Sequence, residues 1–326
     1  MSGGVPAGPD PAGDAIRIGV SSCLLGQNVR YDGGHKKDDF LTGQLGPFVE
    51  FVPLCPEVEV GMGIPRPSIR LERRGEEVRL VDPKNGLDHT DAMRGWARKR
   101  VGEIERLDLC GYVLKKDSPS CGMERVRVYA KSVATRSGRG LFAEELLARL
   151  PLLPVEEEGR LNDPELRENF VERVFGYRRL KNLFQGRWTV GDLVRFHTAE
   201  KLLLLAHDPD GYRKLGPVVA HAKALPRGEL PMRYGELFMR AMAKPATPGK
   251  QMNVLQHMAG YFKDSLADDE KAELQESIRD YRKRLVPLVV PLTLLRHHVR
   301  RQRVAYLEGQ TYLAPHPKEL MLRNHV

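Results

Sequence analysis

Lys115-Lys116-Asp117-Ser118-Pro119-Ser120-Cys121-Gly122 follows directly on the apolar run Tyr112-Val113-Leu114. This order reads as a buried strand that breaks at Ser-Pro and delivers a cysteine to its end. Two other stretches repeat the construction. Ile16-Arg17-Ile18-Gly19-Val20 ends in Ser21-Ser22-Cys23, and Phe48-Val49-Glu50-Phe51-Val52-Pro53-Leu54 ends in Cys55-Pro56-Glu57. Ligands of an open parallel sheet sit in the crevice outside the carboxyl ends of its strands. The pattern therefore predicts that Cys23, Cys55 and Cys121 meet on one rim, although they lie far apart in sequence.

Outward from these stretches, the first half alternates strand and helix signals. The loop from Cys23 closes on the turn signal Asp32-Gly33-Gly34, and a short helix is expected over Asp38–Leu45. Gly61-Met62-Gly63-Ile64-Pro65-Arg66-Pro67 is too rich in Gly and Pro for regular structure. Ser68–Leu71 and Glu77–Val81 read as an edge hairpin, and Thr90 as the cap of a helix running to about Leu107. Val126–Tyr129 reads as a short strand, Leu141–Leu150 as a helix and Leu152–Val155 as a last strand. Such alternation predicts a parallel α/β sheet. Glu156-Glu157-Glu158-Gly159-Arg160 reads as a charged break and the domain boundary. Beyond it, Asp163-Pro164 is an N-cap with proline at the first helical position. Helices are expected at about 190–206, 210–224, 234–243, 250–262 and 269–285, which makes the second half all-α, with a tail over 306–326. The expected division is a disordered N-terminus at 1–14, a first domain at 15–158 and a helical domain at 159–326.

The 326 residues suffice for two cores. No apolar run is long enough to span a bilayer and no export signal opens the chain, so the expectation is a cytoplasmic protein with no membrane partner. The net charge of +9 is unevenly placed. Residues 1–160 carry 24 Lys and Arg against 24 Asp and Glu, and residues 161–326 carry 28 against 19. All four cysteines fall in the neutral half. In a reducing compartment such a set reads as metal-binding or catalytic before it reads as disulfides. The basic half is a candidate nucleic-acid surface.

Cys110 precedes the Tyr112–Leu114 strand and so belongs at the sheet edge opposite Cys121, as a core thiol. The other three admit three readings: small buried hydrophobes, zinc ligands without the usual Cys-x-x-Cys spacing, or ligands of an iron–sulfur cluster whose last iron is open.

SSCLLGQNVRYDGG, CPEVEVGMGIPRP and LKKDSPSCG together resemble the motifs of the thiouracil desulfidase family over about residues 15–155. RENFVERVFGYRRLKNLF, DLVRFHTAEKLLLLAHD and PHPKELMLRN resemble a helical domain found fused to it. The resemblance implies a Rossmann-like first domain holding a 4Fe–4S cluster on Cys23, Cys55 and Cys121. It also implies non-redox removal of sulfur from 4-thiouridine in tRNA to give uridine and hydrogen sulfide. In that scheme the thiocarbonyl sulfur meets the open iron, and a water deprotonated by a carboxylate attacks the ring carbon.

Glu57 is the first candidate for that carboxylate, with Asp117 and Asp32 as alternatives and a salt bridge to Arg66 or Arg70 as its structural role. Ser118 and Ser120 are candidate hydrogen-bond donors to the site, or merely shape the turn. Ser22, Arg30, Asp32 and Arg66 on rim loops, and Arg178 and Arg179 in the helical domain, are candidate substrate contacts, the arginines toward phosphates. Further basic clusters stand at Arg282-Lys283-Arg284 and Arg300-Arg301 with Arg303. The alternatives are a desulfidase of free thiopyrimidines or thiouridine nucleotides, and a non-enzymatic metal- or redox-sensing RNA-binding protein. No protein partner is legible.

Overall fold

The computed structural model describes residues 15–131 and 133–326; the expected disordered start over 1–14 lies outside the described residues. The chain divides after Glu158 into two compact units.

The first unit contains β1 (Arg17–Ser21), β2 (Glu50–Leu54), the one-turn helix α1 (Pro56–Glu59), β3 (Arg70–Arg74), β4 (Glu77–Val81) and α2 (Thr90–Ile104). It continues with β5 (Leu109–Leu114), β6 (Val126–Ala130), β7 (Val133–Gly138), α3 (Leu141–Arg149) and β8 (Val155–Glu157). Strands β2, β1, β5 and β8 pair in that order, all parallel, as a Rossmann-like sheet. Every residue of β5 is buried, as a central parallel strand covered on both faces requires. Gly19 makes the middle of the sheet possible: a Cβ there would lie 2.2 Å from the ring of Tyr112. From β1 the chain moves to β2 on one side and later to β5 on the other, so the strand order reverses at the carboxyl end of β1.

The second sheet runs β4-β3-β6-β7, with β3 and β6 parallel and both outer pairs antiparallel. Its inner face packs Leu71, Leu80, Val126 and Val128 against Met93 of α2 and Leu141 of α3. The hairpin expected at the edge of one sheet thus belongs to a separate sheet, and β7, too polar to announce itself, was not expected. Thr90 does not cap α2. Its hydroxyl accepts the Leu80 amide at 2.8 Å, while Asp88 accepts the Thr90 amide at 2.9 Å.

The final strand is displaced from the expected Leu152–Val155, because Pro154 has no amide to donate and contributes only its carbonyl, to the Tyr112 amide at 2.8 Å. The supposed charged break is therefore part of the sheet. Glu156 and Glu157 are buried, and Glu157 Oε1 accepts the Met123 amide at 2.8 Å. Burial raises the Glu157 pKa, while the amides that bond to it oppose the rise.

The second unit is helical: α4 (Pro164–Phe184), α5 (Val190–His207), α6 (Pro209–Ala220), α7 (Leu230–Met242), α8 (Pro248–Ala259), α9 (Asp268–Arg282), α10 (Val289–Gln302) and α11 (Ala305–Glu308). Asp163 caps α4 by accepting the amides of Glu165 and Leu166 at 2.9 and 3.0 Å. Helix α10 carries Pro291 in its first turn, where no intrahelical donor is needed; the prolines at 287 and 291 hid it from the sequence. The chain end is stitched into this unit. Arg323 is buried and bonds Glu168 at 3.2 Å and Glu172 at 2.7 Å, both on α4. His207 Nε2 donates to the same Glu172 at 2.8 Å. Ligand atoms of Glu168, Glu172 and His316 approach within 4.8 Å of one another, but the Arg323 guanidinium already supplies the cation there. Among the described residues no helix is long and apolar enough to cross a membrane.

Candidate active site

Three strand ends stand level. In register, Ser21 faces Leu54 and Val20 faces Val113, so β1, β2 and β5 finish at one height. The chain then turns at once in each case. Cys23 lies in a short 3-10 turn over Ser22–Leu25, Cys55 precedes α1 with Pro56 at its first position, and Cys121 closes the Ser-Pro turn after β5. All three thiols line one cavity of about 390 Å³. Cys110 is buried at the amino end of β5 and takes no part in that lining. None of the four cysteines is joined in a disulfide.

Loop backbones fix the thiols. The Cys23 carbonyl accepts the Lys36 amide at 2.9 Å, holding the loop closed. The amino end of α3 clasps the third turn, with the Gly140 amide donating to Gly122 at 2.8 Å and the Phe142 amide to Ser120 at 3.0 Å. A Cβ on Gly140 would stand 2.4 Å from the Ser120 carbonyl oxygen, so glycine is required for the close approach. Ser118 Oγ accepts the amides of Ser120 and Cys121 at 3.2 and 3.0 Å, and so shapes the turn.

Glu57 also lines the cavity, with both carboxylate oxygens engaged. Oε1 accepts the Ser120 hydroxyl at 3.1 Å, and Oε2 accepts Arg66 Nε at 3.0 Å. Ser120 itself is fully buried and is not part of the lining, so it acts through Glu57. Arg66 spends its remaining donors on the carbonyls of Gly63 at 2.9 Å and Val29 at 3.0 Å. Its side chain is 4% exposed. The phosphate contact expected of Arg66 is thus replaced by a tie between three rim loops.

Ser22, Arg30 and Asp117 line the cavity. Asp117 is half exposed and pairs with Arg136 at 3.1 Å. Asp32 does not line it: its carboxylate closes the turn onto the Gly34 amide at 3.1 Å. That hydrogen bond, ahead of nearby Arg30, holds its pKa below the ordinary value, and Asp32 drops out as a base.

Arg178 and Arg179 also differ from expectation. Arg178 is 7% exposed, and Arg179 grips Glu200 at 2.6 and 3.1 Å and the Pro315 carbonyl at 2.9 Å. Arg179 ties α4 to α5 and to the chain near Pro315, and Arg178 is buried, so neither stands open to phosphates.

Two residues that sequence alone did not single out complete the site. Ser21 Oγ accepts the Lys115 amide at 3.0 Å and hydrogen-bonds the Cys121 thiol. The Lys115 side chain lines the cavity, paired with Glu158. Both lie within the cysteine motifs, but nothing in a strand-end serine or a lysine after a strand marks it as functional.

Burial pushes the Cys23 thiol up to about 11, against the opposing pull of Lys115. Burial likewise raises Cys55, and raises Cys121 well above the ordinary thiol value. Bare thiols in this state are protonated and weak nucleophiles. A metal centre replaces the protons outright. The donor set suits such a centre: three soft sulfurs from three loops, with Lys36, Lys115 and Arg30 in the lining to balance the negative charge of metal-bound thiolates.

A Rossmann-like sheet with three thiols at the carboxyl ends of adjacent parallel strands defines the class: a thiolate-ligated site at a strand-order switch point. The chain belongs to the 2-thiouracil desulfurase family, whose model matches residues 18–158. A second family model, a protein of unknown function, matches residues 201–317. The chain is 33% identical over 153 residues to the uncharacterized protein YbgA of Escherichia coli (strain K12), covering 47% of this chain and 90% of that relative. It is 32% identical over 149 residues to the uncharacterized protein YbbK of Bacillus subtilis (strain 168), covering 44% and 97%. Among solved structures, the [4Fe-4S]-dependent thiouracil desulfidase TudS is 34% identical, with 48% of this chain and 98% of that chain covered and a TM-score of 0.37.

Proposed function

We propose that this protein is an iron–sulfur desulfidase that removes sulfur from 4-thiouridine in tRNA, releasing uridine and hydrogen sulfide. The observation that carries the proposal is the convergence of Cys23, Cys55 and Cys121 on one cavity at the carboxyl ends of three neighbouring strands. These three would hold a 4Fe–4S cluster, the cofactor on which the similar TudS depends. When bound, the cluster supplies one iron without a protein ligand, a Lewis acid for a thiocarbonyl sulfur.

The remaining work falls to the chain. Glu57 stands in the same cavity and is the group to take a proton from the attacking water. Arg66 and Ser120 fix its two oxygens, so the carboxylate cannot swing away from the cavity. Lys115 and Arg30 place positive charge where an anionic leaving sulfur or a nucleotide phosphate needs it. The helical unit supplies basic surface for the RNA. With Arg178 and Arg179 turned inward, the candidates there are Arg282-Lys283 and Arg300-Arg301 with Arg303.

A second reading, free thiopyrimidine as substrate, is favoured by the family description of the first unit alone. Desulfurisation of thiolated tRNA and of free 4-thiouridine monophosphate, compared at several salt concentrations, separates the two. The proposal expects tRNA to be the better substrate, with a rate that falls steeply as salt rises. Equal, salt-independent rates would replace it with the second reading.

A further inference from the structure

The outer face of the second sheet is built from side chains that alternate with its buried ones. Val126 and Val128 point to the core, so Arg127 and Tyr129 between and beyond them point out. By the same alternation Leu71 faces in, while Arg70 and Arg74 face out. Pairing sets Arg127 beside Arg136 of β7 and Tyr129 beside Glu72 of β3, and Arg79 of β4 faces Glu72 from the other side. One sheet face therefore carries Arg70, Arg74, Arg79, Arg127 and Arg136 around Tyr129. Its acids are Glu72, which Arg70 and Arg74 share at 3.0 and 3.4 Å, and Glu77 beside Arg79; Asp88 and Asp91 also reach Arg79 at 3.9 and 3.6 Å, and Asp117 reaches Arg136 at 3.1 Å.

This face follows the neutral balance of residues 1–160, its acids holding the guanidinium groups in fixed positions. It is open to solvent: Arg127 is exposed, and Arg74 and Arg136 keep 48% and 43% of their side-chain surface. The Arg70 guanidinium lies over the Tyr129 ring, 4.7 Å from its centroid, which gives a flat, cationic stacking pair.

The face is also continuous with the cavity. Ser68 and Ile69 line the cavity and run straight into β3, and Arg136 reaches Asp117 on the cavity wall. Guanidinium groups across a four-stranded sheet, around an aromatic ring, match an RNA strand: arginines take phosphates, and rings or guanidinium planes stack bases.

We infer that the outer face of β4-β3-β6-β7 is an RNA-docking surface that leads the substrate strand to the thiol cavity. This inference rests on the RNA reading above and locates part of the RNA contact in the thiol-bearing unit, where charge balance gave no hint of it. The test is binding of unmodified tRNA by the intact protein across a salt series, for the wild type and for Arg74→Ala combined with Arg127→Ala. Both residues are exposed, so the variant is expected to keep the wild-type melting temperature and iron content. The expected result is several-fold weaker binding, with a log–log salt slope reduced by about 0.7 for each arginine removed. If the wild type binds tRNA with a steep salt dependence and the variant matches it in affinity and slope, the docking surface is overturned and the RNA reading stands. If the wild type shows no salt-dependent tRNA binding, both fall.

Discussion

The hydroxyl of Ser120 donates to Oε1 of Glu57 across 3.1 Å and so joins the turn after β5 to the helix after β2. The two residues stand 63 positions apart, and each lies within two positions of a cavity thiol. The link couples the carboxylate's aim to the placement of Cys55 and Cys121.

Glu57→Gln keeps the size of the side chain and removes the base. Activity is expected to fall by about 10²–10⁴-fold, with iron content near that of the wild type. Ser120→Ala, which only releases one oxygen of Glu57, is expected to lose less. Single-turnover desulfurisation and iron analysis on the same preparations check this. Full activity in Glu57→Gln would remove it as the base.

Arg66 is nearly buried with Glu57 as its counter-charge. Removing one partner of such a pair leaves the other charge uncompensated, at a cost of about 3 kcal/mol or more. Arg66→Leu is therefore expected to lower stability markedly, and chemical denaturation reads the change. A variant as stable as the wild type would show that the three-loop tie contributes little.

Gly140→Ala would press a methyl group onto the Ser120 carbonyl. Overpacking of this kind costs about 1–3 kcal/mol, and here the displaced backbone carries Cys121. Reduced iron loading together with a lower melting temperature is expected. Unchanged loading would mean that the turn is adjustable.

His197 gives the helical unit an acid sensitivity. Its ring is buried, stacks on Tyr212 at 5.1 Å and bonds the Tyr234 hydroxyl at 3.1 Å. Burial, then Lys201, holds its pKa down at about 4, against 6.5 for a free histidine. Below 6.5 the unfolded chain takes up a proton that the folded one refuses, so stability falls as pH drops from about 6.5 to about 4, by up to about 3 kcal/mol. His197→Gln is expected to flatten the melting temperature against pH in that window. Parallel curves would assign the acid sensitivity elsewhere.

The sheet was legible because buried parallel strands write themselves as apolar runs, as at Ile18, Val20 and Tyr112–Leu114, although β5 begins three residues earlier, at Leu109. The thiol rim followed, since each cysteine stands where such a run stops. Polar strands were not legible; β7 carries Thr135, Arg136 and Ser137 and has no apolar period. Glu156 and Glu157 misled for a related reason. Their charge reads as surface, but a loop amide from Met123 satisfies Glu157 inside the unit. Arginine roles were only partly legible: the Glu57–Arg66 pair was among the expectations, whereas Arg179 finds Glu200 through a tertiary contact that spacing does not encode.

Central to the account is a cluster on Cys23, Cys55 and Cys121, and the most direct measurement is iron and acid-labile sulfide per chain after anaerobic purification, for the wild type, Cys55→Ala and Cys110→Ala. The account predicts about four of each for the wild type and for Cys110→Ala, with both lost in Cys55→Ala. A colourless wild-type protein carrying zinc and no labile sulfide, or a Cys110→Ala variant that alone loses its iron, would contradict it.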